Sequence, residues 1–464
     1  MYLARKIDAI LEKRFKDPLH NPILVAGIRQ CGKTESIRQF AETHFQYVNE
    51  INFWRREDAK KIFDGKLEVD ELVKAILLEF PSFTFVPGKT ILFLDEIQEC
   101  PRARLALKSF KDDGRFEVIA SGSFLGVNID RPKAEPTPKP EGAEEVIEMF
   151  TLDFEEFLWA KGYSPSSLSL LEDCFLNRKP VPEAVHESLL AIYREYLCVG
   201  GYPESVLRFV VSGSFKNVHD KNKSIVFDIK GDPSKRRDEK GNPLYTPAEI
   251  ARIQKAFDLV PSFALSDNKR FVASRIEGNG AQRVDAINYL VNAGIVFKTN
   301  NVASPSLPLS VGAIENDYKL LYADIGLLTA SFSYDEIKAI VRDHLGMNKG
   351  YLYEAAVGET LRKNGIKPYY FRKASGLEID YVISYQGNAT LIEAKSKTGN
   401  TKSAKTVMGD PGHYGKTKLI KIGMYNIEEN GDILTLPCYL TFLLGRIEED
   451  IAPVEVKDAQ KQLF

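Results

Sequence analysis

The sequence has few of the residues that build disulfide frameworks and metal–thiolate sites. Its 464 residues include five cysteines and six histidines. The cysteines are odd in number, widely separated and without any Cys-x-x-Cys pair, which argues against structural disulfides and zinc and fits a reducing compartment. No histidine stands in a hydrolase motif with serine or cysteine. The cysteines are Cys31, Cys100, Cys174, Cys198 and Cys438.

The sequence also lacks a charge excess and a long apolar run. Its formal net charge of −2 gives no sign of a general nucleic-acid binder, so any basic surface would have to be local. No uncharged apolar run approaches the roughly 18 residues that cross a bilayer. The charged, amphipathic start from Met1 to Pro18 lacks the apolar run of a signal peptide. We therefore expect a soluble, cytoplasmic protein with no membrane partner.

The apolar residues that are present suffice for several cores. They make up 44% of the chain, and the length predicts about three domains. Short apolar runs at residues 23–26, 91–94 and 117–120 predict buried strands. Helical patterns lie between them, for example at residues 35–44 and 102–111. Buried strands that alternate with helices predict a parallel α/β sheet.

The later segments follow different patterns. The proline-rich segment 130–142 predicts an exposed loop. Residues 165–260 have a mostly helical pattern, interrupted by the polar stretch 231–242. A helix at 281–294 followed by a strand at 295–298 has the order of a winged helix.

The end of the chain predicts a separate α+β domain. A helix at 351–363 precedes three strand-like runs, at residues 368–371, 379–383 and 389–393. We therefore divide the chain into an α/β core (1–160), a helical lid (161–258), a winged-helix segment (259–335) and an α+β domain (336–464).

One segment has the pattern of a phosphate-binding loop. Gly27-Ile-Arg-Gln-Cys-Gly-Lys-Thr34 fits the Walker A pattern G-x-x-x-x-G-K-[ST], between a predicted strand and a predicted helix. Gly27 and Gly32 allow a tight loop whose N–H groups turn toward phosphate oxygens, with the helix N-terminus adding a favourable dipole. Lys33 is expected to reach the β- and γ-phosphates, and Thr34 to bind Mg²⁺. The predicted contacts to ATP are Gly27, Ile28, Arg29, Gln30, Cys31, Gly32, Lys33, Thr34 and Glu35.

Two later strand ends complete the predicted ATP site. Asp95 ends an apolar run in the Walker B manner and is expected to support the Mg²⁺ ion, while Glu96 would polarise the attacking water. Ser121, in Ser121-Gly-Ser123, would sense the γ-phosphate; a small polar turn is the alternative interpretation. Strands ending in acids are common, but the order and spacing of the two motifs favour an ATPase with ATP and Mg²⁺ as its cofactors.

The chain resembles a family of prokaryotic AAA+ ATPases whose C-terminal half is called DUF4143. This resemblance implies a P-loop AAA+ core, a helical lid, a winged-helix segment and a C-terminal nuclease-like domain. It spans nearly the whole chain, in motifs that occur in the same order as in the family. They are Gly27 to Thr34, Leu94-Asp-Glu-Ile-Gln98, Ser121-Gly-Ser123, Phe154-Glu-Glu-Phe-Leu158, Gly200-Gly-Tyr-Pro203 and Leu321-Tyr-Ala-Asp-Ile-Gly-Leu327.

The chain departs from this family at one position. Many relatives carry a basic residue after a glycine ahead of the Phe-Glu-Glu-Phe motif, where this chain has Gly142 followed by Ala143. If that residue reaches phosphate in relatives, another must do so here. Arg115, Arg131 and Arg283 are candidates for an arginine finger, although each also fits a solvated surface arginine.

The C-terminal region carries a second set of candidate catalytic residues. Glu354 on a helix, Asp380 on a strand and Glu393-x-Lys395 on the next strand have an order similar to the PD-(D/E)xK nucleases. Alternation puts Glu393 and Lys395 on one face. Glu354, Asp380 and Glu393 would then hold a divalent cation, and Lys395 would orient water or stabilise charge at phosphorus. A cross-strand ion pair is the alternative, and a nuclease-like domain can bind without cutting.

Two functions remain open at this stage. The first is an ATP-controlled enzyme that processes DNA, favoured by the C-terminal residues. The second is a nucleotide-dependent regulator or scaffold that binds a protein or nucleic-acid partner without cleavage, favoured by the near-neutral charge. Assembly into a homo-oligomer is compatible with both.

Overall fold

The computed structural model describes residues 1–127, 140, 142–237, 241–264, 270–344, 349–395 and 401–446. Arg131 and most of the proline-rich segment 130–142 lie outside these ranges. In the part of the chain that is described, every helix is too short or too polar to span a membrane. All five cysteines are buried and none is in a disulfide.

The N-terminal part is built on a parallel five-stranded sheet. Its order is β2-β3-β4-β1-β5, so β1 lies between two strands that come much later in the chain. β1 and β3 are buried along their whole length, which explains their continuous apolar runs. The strands are β1 (Ile23–Gly27), β2 (Tyr47–Asn52), β3 (Thr90–Asp95), β4 (Glu117–Ser123) and β5 (Glu145–Met149).

Helices connect these strands, as the alternating pattern predicts. The chain runs from β1 to the far edge at β2 and returns through β3 and β4, so β1 marks the point where the strand order reverses. In open α/β sheets, ligands bind beyond the carboxyl ends of the strands at such a point. The helices of this part are α1 (Lys6–Phe15), α2 (Lys33–His44), α3 (Val69–Glu79), α4 (Pro101–Asp113) and α5 (Phe124–Val127).

A helical region follows the sheet, as the sequence predicts, but one helix is longer than expected. The polar stretch from residue 231 was expected to interrupt the helices, yet α10 continues to Lys235. Buried Asp232 explains the difference, because it bonds Arg236 one turn later and Tyr289 on a neighbouring helix. The helices are α6 (Phe154–Ala160), α7 (Pro165–Leu176), α8 (Glu183–Val199), α9 (Pro203–Ser212), α10 (Phe215–Lys235) and α11 (Pro247–Ala264).

The third part is a mixed eight-stranded sheet of order β12-β13-β11-β10-β9-β8-β6-β7. The hairpin β6–β7, which was expected to end a winged-helix segment, joins this sheet through Asn301 of β6 and Tyr370 of β8. The predicted boundary at residue 335/336 therefore falls between strands of one sheet. The strands are β6 (Val296–Val302), β7 (Ala313–Tyr322), β8 (Tyr369–Arg372), β9 (Glu378–Tyr385), β10 (Asn388–Lys395), β11 (Thr417–Gly423), β12 (Glu428–Asn430) and β13 (Ile433–Pro437).

The helix α15 packs against this mixed sheet and also reaches the N-terminal part. Its start near residue 350 and its end at Lys363 agree with the sequence prediction. The remaining helices are α12 (Gly280–Asn292), α13 (Ile325–Thr329), α14 (Tyr334–Val341), α15 (Lys349–Lys363), α16 (Lys402–Met408) and α17 (Pro411–Tyr414).

One buried carboxylate joins the three parts of the molecule. Asp324 accepts hydrogen bonds from the Thr151 hydroxyl (2.5 Å) and the Gly201 N–H (2.9 Å), and it forms an ion pair with Lys363 of α15 (3.4 Å). A Cβ atom at Gly201 would overlap the carbonyl oxygen of Leu152. The Gly-Gly-Tyr-Pro and Leu-Tyr-Ala-Asp motifs of the sequence are therefore two sides of one close contact.

Candidate functional site

The Walker A segment forms a tight loop between β1 and α2. Gly32 has a φ of 98° at the N-cap of α2, and Gln30 has a φ of 62°, both in the left-handed region. At Gly27 a side chain is excluded for a different reason, since a Cβ atom there would overlap the carbonyl oxygen of Met149 on β5. Backbone N–H groups at such turns form anion-binding concavities at a helix N-terminus. The loop therefore has the geometry of a phosphate cradle.

Lys33 and Thr34 begin α2 at the end of this loop. Lys33 is 8% exposed, and its Nζ donates hydrogen bonds to the carbonyl oxygens of Gly27 (3.1 Å) and Ile28 (3.0 Å). The Thr34 Oγ1 lies 3.3 Å from both carboxylate oxygens of Asp95. The two Walker motifs, 61 residues apart in sequence, thus meet at one point.

Asp95 is the centre of the polar contacts at this edge of the sheet. Its carboxylate accepts hydrogen bonds from the Ser121 hydroxyl on β4 and from the Asn52 amide on β2 (2.7 Å). Burial raises the pKa of Asp95 above its usual range and the nearby Glu96 adds to this, while the bonds from Ser121 and Asn52 oppose the shift. The clustered oxygen atoms are the ligand type that Mg²⁺ prefers.

Glu96 follows β3 in a strained conformation that turns it out of the strand. Its φ of 55° lies in the left-handed region, which is uncommon for a residue with a side chain. The Gln98 amide donates to the Glu96 carboxylate, and the Gln98 oxygen accepts from the Ser123 N–H (3.2 Å). Gln98 therefore links the candidate base to the Ser-Gly-Ser segment of β4.

These residues open into a cleft of about 1410 Å³ between the parallel sheet and the helices α10 to α12. Among the predicted ATP contacts, Gly27, Ile28, Cys31 and Ser121 are buried behind its wall. The predicted contacts that line the cleft are Arg29, Gln30, Gly32, Lys33, Thr34, Glu35, Asp95 and Glu96. On the helical side the lining includes Asp232, Arg236, Tyr245, Arg252 and Tyr289.

A charged contact crosses the cleft from the loop to the helices. Arg29 of the Walker A loop pairs with Asp232 of α10, and the Tyr289 hydroxyl of α12 donates to the same carboxylate (2.6 Å). Burial disfavours the charged form of Asp232, but Arg236 and Arg29 outweigh it and lower the pKa of this carboxyl. The loop is thereby tied to the helical wall.

The described arginine-finger candidates lie outside this cleft. Arg115 pairs with Asp113 (2.7 Å) and Asp70 (2.6 Å), and Arg283 donates to the carbonyl oxygen of Ile276 (2.8 Å). Neither arginine lines the cleft, and the arginine-finger role of each stays a prediction.

Three of the C-terminal candidate residues come together on β9 and β10, as the alternation predicts. The Lys395 Nζ lies 3.2 Å from Asp380 and 2.8 Å from Glu393. Both carboxylates are buried, whereas the lysine side chain is 29% exposed. Burial disfavours the ammonium, but Asp380 and Glu393 outweigh it and raise the pKa of Lys395. The resulting contact is an ion-pair cluster open to solvent on its lysine side.

Glu354, the fourth candidate, is held by a different lysine. The buried Lys319 of β7 forms ion pairs with Glu354 (3.1 Å) and Glu378 (3.2 Å). Within the described ranges, no three His, Cys, Asp or Glu side chains are grouped so that they could hold a metal ion. The expected ligand set of Glu354, Asp380 and Glu393 stays a prediction.

Several residues of these sites were missed by sequence reasoning. Asn52 is adjacent to Asp95 only because β2 pairs with β3, and no local pattern indicates that pairing. Gln98 ends the motif Leu94-Asp-Glu-Ile-Gln98, but its hydrogen bond to Glu96 depends on the strained backbone at Glu96. Asp232 lies in the polar stretch 231–242, which was predicted to interrupt the helices. Lys319 carried a usable signal, since a lysine beside the apolar Leu320-Leu321 run needs a buried partner.

The sheet, the loop and the converging Walker residues define a P-loop nucleotide-binding protein. A family model described as an AAA domain matches residues 19–158, and one described as a domain of unknown function (DUF4143) matches residues 349–439. These two matches support an AAA+ ATPase with a C-terminal DUF4143 region, as the motifs predict. A further domain of unknown function (DUF8612) matches residues 190–337. The likeness to PD-(D/E)xK nucleases stays a prediction.

No curated protein matches the chain in sequence. Solved structures similar to it include DnaA from Aquifex aeolicus bound to AMPPCP, with 13% identity over 62% of this chain and 89% of that chain, at a TM-score of 0.29. The RuvB Holliday junction branch migration motor of Thermotoga maritima has 13% identity over 63% and 88%, at a TM-score of 0.27. The ORC2 protein of Aeropyrum pernix has 13% identity over 73% and 92%, at a TM-score of 0.23. The fold assignment rests on the strand order and the AAA match, not on these likenesses.

Proposed function

We propose that this protein binds ATP with Mg²⁺ and hydrolyses it in the cleft between the parallel sheet and the helices α10 to α12. The observation that carries the proposal is the convergence of Thr34, Asn52 and Ser121 on Asp95. Lys33 is fully inside the loop and would exchange its two carbonyl contacts for phosphate oxygens.

The residues present fit a magnesium ion at this site. Thr34 and Asp95 supply a hydroxyl and a carboxylate within 3.3 Å of each other, which are hard oxygen ligands. These two residues would hold the ion. When bound, the ion neutralises the charge on the phosphates. Asn52 and Ser121 would keep the Asp95 carboxylate in position through their hydrogen bonds.

Glu96 is the proposed general base for the attacking water. It lines the cleft beside Asp95, and Gln98 holds its carboxylate. A base held near the phosphates accepts a proton as the water oxygen attacks phosphorus, with ADP as the leaving group. Ser121 is proposed to act through Asp95, because its hydroxyl is buried and bonded to that carboxylate.

Two variants test this proposal by separating binding from hydrolysis. Lys33→Ala should abolish ATP binding, measured by titration with a fluorescent ATP analogue. Glu96→Gln should bind ATP with about the wild-type affinity and lose at least about a hundredfold in turnover. A Glu96→Gln protein that hydrolyses ATP at the wild-type rate would reject Glu96 as the base. The binding measurement on Lys33→Ala tests the ATP site independently of that outcome.

A nucleotide-controlled switch is the mode of action that the cleft favours. The Arg29–Asp232 pair connects the phosphate loop to α10, so a phosphate group that competes for Arg29 would loosen the helical wall. The partner controlled in this way would be a protein or a nucleic acid. A steep fall of DNA binding with added salt would identify DNA, whereas binding that is flat in salt or absent would indicate a protein partner.

DNA cleavage by the C-terminal domain is the second candidate function, with Asp380, Glu393 and Lys395 as catalytic residues. The observation that favours it is the meeting of both carboxylates at Lys395. Each carboxylate is engaged by a lysine, so cleavage would require this cluster to rearrange. Asp380→Asn should abolish Mg²⁺- or Mn²⁺-dependent cutting of DNA, and Glu428→Gln, an exposed acid on β12, serves as the control. Wild-type protein that cuts neither single- nor double-stranded DNA leaves the switch as the function.

A further inference from the structure

Arg5 lies behind the phosphate loop, outside every sequence motif, and is only 6% exposed. Its guanidinium contacts three separate parts of the chain. The Nη1 atom donates to the carbonyl oxygen of Cys31 in the loop (2.7 Å), and Nη2 donates to that of Phe150 after β5 (2.7 Å). The Nε atom donates to Glu156 Oε1 on α6 (3.0 Å). One side chain thus connects the loop to two fixed points of the core.

The Glu156 carboxylate is itself rigidly held. It accepts hydrogen bonds from the backbone N–H groups of Lys6 (2.7 Å) and Asp153 (3.0 Å), the second as part of the capping box of α6. Burial disfavours the charged guanidinium, but Glu156 outweighs this and raises the pKa of Arg5. Arg5 is therefore a charged, planar group with three directed donors in a fixed frame.

The contact to Cys31 determines how the next peptide N–H is directed. In a trans peptide the C=O and the N–H point in opposite directions. Because Arg5 binds the Cys31 carbonyl, the Gly32 N–H must point away from Arg5. Gly32 and Lys33 line the cleft, whereas Arg5 and Cys31 do not. The Gly32 N–H is thereby directed to the cleft side of the loop.

The loop needs such a restraint because its backbone is left-handed on both sides of Cys31, and at Gln30 that conformation is strained. Gln30 and Gly32 both have positive φ angles. For Gln30, which has a side chain, this conformation is unfavourable and persists only where surrounding contacts enforce it. A second contact comes from the same N-terminal segment, since the Tyr2 hydroxyl is hydrogen-bonded to that of Ser36 on α2 (3.0 Å).

We propose that Arg5 is a positioning residue of the nucleotide site, which fixes the Cys31–Gly32 peptide so that the Gly32 N–H faces the phosphates of a bound nucleotide. The inference rests on the proposed ATP site and deepens it. Arg5 touches no phosphate itself. It acts through the loop, so its loss changes the affinity for nucleotide while the groups at Asp95 remain intact.

Arg5→Lys tests this role because it keeps the positive charge and removes the planar guanidinium group with its three directed donors. An ammonium group cannot donate in three diverging directions to two carbonyl oxygens and one carboxylate. We expect the Kd for a fluorescent ATP analogue to rise at least about tenfold, the size of one charge-assisted hydrogen bond. The binding stoichiometry should stay at the wild-type value, since partial unfolding would lower the stoichiometry and leave Kd unchanged.

Arg104→Lys is the matched control. Arg104 is also almost fully buried, at 4% exposed, and its Nε bonds Glu144 at 3.0 Å, before the start of β5. It does not line the cleft, so its replacement should leave Kd unchanged. If Arg5→Lys does not fold, Glu156→Gln provides the second variant, because it removes the charge that orients Arg5 and should also raise Kd.

The outcomes separate this inference from the proposed function. A wild-type Kd in folded Arg5→Lys, or a fall in stoichiometry alone, would overturn the positioning role. So would an equal rise of Kd in Arg5→Lys and Arg104→Lys. If Lys33→Ala binds the analogue as tightly as the wild type, the ATP site itself is rejected, whichever result Arg5 gives.

Discussion

The Ser121 hydroxyl donates a hydrogen bond to the Asp95 carboxylate from the neighbouring strand of the parallel sheet. Asp95 also accepts from Asn52 on the strand at its other side and contacts Thr34 at the start of α2. One buried carboxylate therefore joins the carboxyl ends of three strands to the phosphate loop. The position of the proposed Mg²⁺-supporting group depends on all of these neighbours, which makes each of them testable.

Ser121→Ala should lower ATP turnover roughly tenfold, since a hydrogen bond to a charged group is worth about 1.5–3 kcal/mol. Without it, the Asp95 carboxylate is held by Asn52, by Thr34 and by the Glu96 N–H (3.1 Å). Steady-state hydrolysis at saturating ATP measures the effect.

Ser123→Ala is the control on the same strand. Its hydroxyl oxygen is buried and finds no hydrogen-bond partner in the part of the chain that the structure describes. Its removal should change turnover by less than about twofold. Equal losses in the two variants would show that β4 packing, rather than the bond to Asp95, sets the rate.

Asp232→Asn should destabilise the helical wall of the cleft and tighten nucleotide binding, because Arg29 no longer has to leave a carboxylate to reach a phosphate. The substitution removes the negative charge shared by Arg29 and Arg236. We expect a loss of about 1–3 kcal/mol, the cost of an unsatisfied buried polar group, seen as a lower unfolding temperature and faster proteolysis near α10. The control is Asp258→Asn, whose partner Lys230 is on the surface and whose effect should be negligible. An unchanged Kd for ATP in Asp232→Asn would show that the contact between Arg29 and the helical wall does not affect nucleotide binding.

Gly201→Ala should disrupt the contact between the three parts of the molecule. A methyl group there would overlap the Leu152 carbonyl and approach Asp324 to 2.9 Å. Backbone atoms cannot move aside as a flexible side chain can, so we expect a loss of about 1–3 kcal/mol or more. Thermal unfolding measures it. In Gly231→Ala, a Cβ atom within α10 would meet nothing within 4 Å, so that variant should be as stable as the wild type or slightly more stable.

Glu359→Gln should change the pH dependence of stability. Burial raises the pKa of Glu359 to about 7, with Asp324 adding to this and Lys363 opposing it. The folded state therefore binds a proton that the unfolded state releases near pH 4.5, and stability falls as the pH rises from about 4.5 through 7. Glutamine carries no such proton.

The measurement is the difference in unfolding midpoint between Glu359→Gln and the wild type at about pH 5 and about pH 8, on either side of the Glu359 titration. We expect the variant to become more stable relative to the wild type at the higher pH. There the wild type carries a buried, charged Glu359, which destabilises its folded state. The Tyr196 hydroxyl, which donates to Glu359 Oε1 at 2.9 Å, can still bond the glutamine oxygen. The same difference in midpoint at both pH values would show that Glu359 does not titrate between them in the folded protein.

Local pattern was sufficient for the elements that position the ATP site. The strands predicted at 23–26, 91–94 and 117–120 were found within a few residues of β1, β3 and β4. These runs are almost entirely apolar, with Glu117 as the exception, because a central parallel strand is covered on both faces. The helical pattern was less reliable at α10. There, a polar stretch stayed helical because the buried Asp232 gained partners from distant elements.

The C-terminal residues show where pattern alone misleads. Alternation on β10 correctly placed Glu393 and Lys395 together. It gave no information on Lys319, which comes from a different hairpin and takes up Glu354. The predicted three-carboxylate ligand set was therefore incomplete as a description of the cluster, since the cation that pairs with each carboxylate depends on the strand order of the sheet.

The sequence by itself determined the phosphate loop, the helix that follows it and the apolar strands around it, because each of these depends on residues that are close in the chain. Tertiary structure alone decided which side chains surround Asp95, how Arg5 reaches Cys31, and which carboxylates Lys319 neutralises. Those contacts join residues that are tens of positions apart in the chain. Their energy comes from burying polar groups together, and a burial partner is chosen by strand pairing and packing rather than by any local pattern.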